Sequence, residues 1–170
     1  MRQPRRIDKT AINPPPKPKE RKQVVKKVKK QHPQYGTSKL EEDFATQFLD
    51  KLGVEYIYQF EAKDIGRFYD FFIPNSDGSR GGLIIEIDGD YYHFNPETQG
   101  SKNPSRMQQR NMRIDEYKNK WALLHGYPIM RIWENDIRRK PKEVMQRLKE
   151  RLYLLEEEKK RKGRNLGKNS

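Results

Sequence analysis

Two acidic residues two positions apart, Glu86 and Asp88, lie in the apolar run Leu83-Ile84-Ile85-Glu86-Ile87-Asp88, and a third, Asp70, sits among Phe68, Tyr69, Phe71, Phe72 and Ile73. A carboxylate in so apolar a segment is costly to desolvate unless a cation or hydrogen bonds compensate it. Side chains alternate across a strand, so Glu86 and Asp88 share one face while Leu83, Ile85 and Ile87 share the other. If the two segments pair as neighbouring strands, the three acids converge. Hard oxygen ligands at that density suit Mg²⁺, with Mn²⁺ as a substitute. A single acid in a strand is as often an edge residue or a hydrogen-bonded structural group; three on adjacent strands point to a site.

The elements that must position these acids follow from periodicity and caps. Ser38-Lys39-Leu40-Glu41 is a capping box, and Leu40, Phe44, Phe48 with Ala45, Leu49, Leu52 recur at helical spacing up to Gly53. Val54 to Phe60 reads as a strand, a second strand runs over 67–73 to Pro74, and Leu83 to Asp88 is a third. The turn-rich stretch Asn75 to Gly82 predicts that strands two and three form a hairpin. A helix from near Ser105 to His125 is expected to bury Ile114, Tyr117, Trp121 and Leu124 on one face and to stop at Gly126. Pro128 to Trp133 makes a fourth strand, with Trp121 and Trp133 read as core. Pro141 begins a last helix with Val144, Leu148, Leu152 and Leu155 buried. The order is α-β-β-β-α-β-α, an α/β domain with a mixed sheet flanked by helices.

Charge divides the 170 residues into three parts. Residues 1–36 carry a net +10, residues 158–170 carry +5, and the middle, 37–157, is close to neutral at −2. The expectation is a basic, Pro-rich, largely disordered N-terminal arm with a short helix near 19–31 that orders on a partner, a folded domain over 37–157, and a basic C-terminal tail. Basic arms around a near-neutral body suit contact with a polyanion, although they also serve solubility alone. Cysteine is absent and the only histidines are His32, His93 and His125, which excludes thiol catalysis and makes a zinc site unexpected. With no long apolar run and no signal-peptide pattern, no membrane partner is expected and an intracellular location is.

The series Ser38-x-x-Glu41, Gln59, Tyr69-Asp70-Phe71, Glu86-Ile87-Asp88-Gly89 and His93 resembles the PD-(D/E)XK nuclease superfamily, and within it the very-short-patch-repair (Vsr) endonucleases and related phage homing endonucleases. Asp115-x-x-Lys118 with Gly126, and Ile129-Met130-Arg131-Ile132-Trp133-Glu134, are similar to that branch's second helix and last core strand. The likeness covers about 37–150 and implies an αβββαβ restriction-endonuclease-like core. It implies a Mg²⁺-dependent endodeoxyribonuclease acting on double-stranded DNA as a monomer or homodimer, in homing, repair or phage DNA processing. Asp70 would be the central metal ligand, Glu86 the second acid, and Asp88 would stand where most of the superfamily has lysine. His93 would act in proton transfer, Glu41 would hold a bound water, and Gln59 would orient nucleophile or phosphate. Lys118 would be a displaced positive group.

The residues themselves leave alternatives open. Glu41 could do no more than cap its helix, or Glu42 could take its place. His93 could be a surface residue beside Tyr91-Tyr92, Gln59 a structural amide, and Lys118 part of a solvated helix face. DNA phosphates would be held by Arg106, Arg110, Arg113 and Lys118, with Lys26, Lys27, Lys29 and Lys30 from the arm. The competing reading is a non-catalytic nucleic-acid-binding or virion-associated protein that keeps a nuclease-like fold.

Overall fold

The computed structural model describes residues 38–79 and 81–166, with side chains as far as residue 161. The expected arm, its helix near 19–31 and Lys26, Lys27, Lys29 and Lys30 lie outside the described residues.

Ser38 opens the first helix by accepting the Glu41 amide on its hydroxyl at 3.2 Å. Helix α1 (Lys39–Phe44) continues through a π-helical turn (Ala45–Leu49) into α2 (Asp50–Leu52), and Gly53, in the left-handed region at φ +66°, closes it. Three antiparallel-linked strands follow: β1 (Ile57–Ala62), β2 (Arg67–Pro74) and β3 (Gly82–Asp88). Strand β1 starts and ends later than the expected 54–60, because the chain first crosses from Gly53 over the core edge with Val54 and Tyr56 packed against it. The short α3 (Pro96–Gln99) and the long α4 (Arg106–Leu124) lead to β4 (Ile129–Trp133), which lies parallel to β3. Such a parallel return needs a crossover of this length. Helices α5 (Glu134–Arg139) and α6 (Pro141–Leu166) end the described chain. The sheet order is β1-β2-β3-β4, a mixed four-stranded sheet in one α/β domain flanked by helices, as expected.

The expected hairpin is present: Phe71 pairs with Ile85 and Pro74 with Gly82. Gly82 has a specific reason to be glycine. A Cβ there would stand 2.2 Å from the Ile73 carbonyl oxygen.

Two cores form on the two sides of the sheet. On one, Phe44, Phe48 and Leu49 of the first helix and Val144 and Leu148 of α6 pack on Phe71, Ile73, Leu83, Ile85, Ile87, Met130 and Ile132. Leu152 and Leu155 are partly buried against this side. Full burial of a side chain of this size contributes roughly 1.5–3 kcal/mol, so this layer carries most of the stabilisation. On the other side, Trp121 and Ala122 of α4 cover Ala62, Tyr69, Phe72 and Ile84. Trp121 is core as expected, and Trp133 is only half-buried.

Helix α4 departs from the expected pattern. Tyr117 is 50% and Leu124 75% exposed, so of the expected stripe Ile114, Tyr117, Trp121, Leu124 it is Trp121 that is buried against the sheet. The inward stripe is Gln108, Asn111, Asp115, Lys118 and Ala122, at helical spacing and mostly polar. The reason is what lies beneath it. This part of α4 covers Glu86, Asp88 and the loop after them, and a carboxylate-bearing surface is matched by amides and charges rather than by leucines.

Helix α6 passes the expected domain boundary at 157. Its residues Glu156 and Lys159 hold the β2–β3 turn, with the Ser76 hydroxyl donating to Glu156 at 3.1 Å and Lys159 paired with Asp77 at 2.9 Å.

Candidate active site

The site begins with a break in strand alternation. Gln59 sits in β1 at φ +51°, opposite Asp70 at the one step that the β1–β2 pairing skips, between Tyr58–Phe71 and Phe60–Tyr69, and a non-glycine residue in this region is strained. Tyr69 and Phe72 both belong to the α4-side core while Phe71 and Ile73 belong to the other, so the pleat is interrupted between Tyr69 and Phe71. The β2–β3 ladder ends at the Phe71–Ile85 pair. Beyond it the Asp70 carboxylate accepts the Ile87 amide at 2.6 Å, taking the donor that the next rung would use.

Around this opening stand the groups expected from the sequence. Glu41 turns from its cap toward β1: Oε1 accepts the Ser38 hydroxyl at 2.9 Å, and Oε2 accepts Tyr58 Oη at 2.6 Å and Gln59 Nε2 at 3.3 Å. Glu41 is therefore tied to both the cap and the site, while Glu42 is exposed. Glu86 is 4% exposed and ion-paired through Oε1 with the Lys118 ammonium. The Lys118 side chain is only 12% exposed, so it is not part of a solvated helix face. Its ammonium lies 4.8 Å from the centroid of the Tyr69 ring, and Tyr69 Oη donates to the Lys118 carbonyl at 2.7 Å.

Asp88 shares the Glu86 face of β3, as strand parity predicts, yet joins a different group. Arg131 Nη1 donates to both its oxygens, at 2.7 and 2.8 Å, and Nη2 of the same guanidinium lies 3.1 Å from Asp115. Asp115 in turn holds His93 Nδ1 at 2.6 Å, and His93 Nδ1 is 3.6 Å from Asp88. Among the described residues, Asp88, His93 and Asp115 are the group whose ligand atoms lie within 4.8 Å of one another; the expected triad Asp70, Glu86, Asp88 is not such a group. The physical reason is Arg131. It projects from β4 on the same face, opposite Glu86 in the β3–β4 register, and draws Asp88 toward itself.

Electrostatics separate the two groups. Burial first, and then the negative charges of Glu86 and Glu41, push the Asp70 carboxyl well above its usual range, although Asp70 keeps some accessible surface. Burial likewise raises Glu86, and Lys118 and Arg131 do not fully offset it. For His93, burial opposes the charge, but the hydrogen bond to Asp115 and the charge of Asp88 outweigh it and raise the imidazole above its ordinary value. Asp115 is lowered because His93 and Arg131 outweigh its own burial. One pair of carboxylates is thus short of positive charge, and the other is served by an internal guanidinium.

Neither family models, curated proteins nor solved structures match the chain. What the site can do rests on its own chemistry. Asp70 and Glu86 are hard oxygen donors, buried and costly to ionise as they stand, and a divalent cation between them would relieve that cost, so the donor set fits Mg²⁺ or Mn²⁺. Asp88 and Asp115 already share Arg131, so the fit is poorer there.

Of the described cations expected to meet phosphate, Lys118 lies in the site and Arg106, Arg110 and Arg113 do not. Arg106, Arg110 and Arg113 are exposed on successive turns of α4, on the helix face opposite Gln108, Asp115 and Ala122. Tyr58, Tyr69, Asp115 and Arg131 complete the site without having been singled out as functional. Arg131 carried a readable signal. A charge in the apolar strand Ile129-Met130-Arg131-Ile132-Trp133 raises the same question as Asp70 among its aromatics.

Proposed function

We propose that the protein is a metal-dependent endonuclease that hydrolyses phosphodiester bonds in DNA, with an αβββαβ core of the restriction-endonuclease kind. The observation that carries the proposal is the convergence of Asp70, Glu86 and Lys118 where β2 and β3 part, with Glu41 and Gln59 on the neighbouring strand and helix. Two acids and one ammonium from three elements match the chemistry of the PD-(D/E)XK pattern, with the positive group supplied by α4 because Asp88 is engaged by Arg131. The element order and the hairpin of β2 and β3 are also those the resemblance implies.

Asp70 and Glu86 would hold the cation, with the Asp88 carboxylate in the arginine group instead. A bound Mg²⁺ would supply electrostatic stabilisation of the charge that develops on the phosphate and would acidify a bound water. Lys118 holds a positive charge beside Glu86 on the side of α4. Glu41, positioned by Tyr58 and Gln59, offers an acceptor for a water at the mouth of the site. His93, with Nδ1 bonded to Asp115, keeps Nε2 for exchanging a proton with a leaving or attacking oxygen. The fixed Asp115–His93 bond sets which nitrogen is available. DNA is the substrate that the basic balance of the chain, +13, favours.

Supercoiled-plasmid nicking tests the proposal. Wild type is expected to nick with Mg²⁺ or Mn²⁺ and to stop with EDTA, and Asp70→Asn is expected to lose at least two orders of magnitude in rate. Cleavage that survives Asp70→Asn or EDTA would overturn it. DNA binding without cleavage in any divalent metal would favour the non-catalytic binding protein.

A further inference from the structure

We propose that Tyr69 is the positioning residue for Lys118, holding the lysine at both ends; this rests on reading Lys118 as the positive group of the cleavage site. Tyr69 precedes Asp70 and is fully buried. Strict alternation would send it to the side of Phe71, but the break at the Gln59–Asp70 pair turns it toward α4, where it packs on Trp121 with ring centroids 5.6 Å apart. From there its hydroxyl donates to the Lys118 main-chain carbonyl, an acceptor in the middle of α4 that already belongs to the helix ladder. Its ring meanwhile lies beneath the Lys118 ammonium.

These contacts fix different things. The hydroxyl sets the height and rotation of α4 over β2, and so the starting point of the lysine side chain. The ring supplies a negative π face on one side of the ammonium, with Glu86 as its ion-pair partner. A lysine stem carries large rotamer freedom, and two anchors on one rigid aromatic remove most of it. Asp70, which reaches the Ile87 amide, is thus adjacent to the residue that seats Lys118, so one interruption of the β2 pleat aims both groups.

Two measurements test the assignment. The first uses trace acetylation of amines with acetic anhydride, read peptide by peptide by mass spectrometry. Tyr69→Phe is nearly isosteric and keeps the ring; it is expected to raise Lys118 labelling about fivefold, the factor set by a hydrogen bond of ordinary net strength, while the exposed Lys102 and Lys149 stay at wild-type rates. Tyr69→Leu is expected to raise Lys118 labelling further. Unchanged Lys118 labelling in Tyr69→Phe, or an equal rise at all lysines, would overturn the proposal.

The second is a double-mutant cycle on plasmid nicking at saturating Mg²⁺. Tyr69→Phe is expected to lower kcat about fivefold with KM for DNA unchanged, and to have no further effect on kcat in a Lys118→Met background. An equal loss in both backgrounds would overturn it. If wild type does not nick at all, the nuclease reading falls, and the labelling result alone decides the role of Tyr69.

Discussion

Asp70 meets Glu86 and Glu41 across a poorly solvated opening, and its protonated form is favoured there. An acid whose folded-state pKa lies above its unfolded value supports the fold while protonated and weighs against it once the pH has passed both values. Asp70→Asn keeps an oxygen for the Ile87 amide and carries no charge. It is therefore expected to be more stable than wild type by about 1 kcal/mol or more at pH 8 without divalent ions, with the difference closing toward pH 4, as read by urea unfolding at the two pH values. His93 runs the other way. Its folded-state value is raised, so the stability it contributes through Asp115 and Asp88 is complete below its unfolded pKa of about 6.5 and is lost as the pH rises through the folded value. The stability gap between wild type and His93→Gln should thus be largest near pH 6 and shrink above neutrality in the same measurement.

At the scale of elements, the strand break at Gln59 is the device that opens the site, and it has a measurable cost. At φ +51° a glycine is unstrained, whereas alanine retains the strain and loses the amide bond to Glu41. Gln59→Gly is therefore expected to be at least about 0.5 kcal/mol more stable than Gln59→Ala in urea unfolding, although both lose the same side-chain hydrogen bond. The elements themselves were largely legible. The cap at Ser38, the helix start near Ser105, the stops at Gly53 and Gly126, and the turn before β3 all stood where local chemistry put them. So did the shared face of Glu86 and Asp88, because alternation holds in a strand buried on both sides. The α4 face was misread because apolar periodicity assumes an oily partner, and α4 lies on charges. The pairing of Asp88 with Arg131 depends on β4 returning parallel to β3, a contact between residues 43 apart that no local pattern encodes. The placement of Tyr69 toward α4 was obscured by the pleat inversion, which only the paired strands reveal.

For the molecule as a whole, no described helix is long and apolar enough to cross a membrane. The excess positive charge lies outside 37–157, so on the proposed nuclease reading affinity for DNA and the geometry of cleavage are expected to separate. Deleting residues 1–36, net +10, should weaken binding to a DNA duplex and flatten the slope of log affinity against log salt, by up to about 0.9 for each phosphate the arm no longer neutralises. The cut-site pattern on one plasmid should stay the same. Fluorescence anisotropy across a salt series, with a cleavage map of both proteins, checks the two statements.

The polar underside of α4 has one more effect. Gln108 and Asn111 hold the loop after β3 through the main-chain carbonyls of Tyr91 and Tyr92, so the first half of this helix is fastened by amide hydrogen bonds and its second half by the Trp121 core. The amino-terminal turns can peel away at little hydrophobic expense, as a sub-global opening well below the free energy of complete unfolding. Amide hydrogens of residues 108–114 should then exchange with solvent ahead of those of 119–124. Such an opening would bare the Asp88–His93 corner while Tyr69 keeps Lys118 in place.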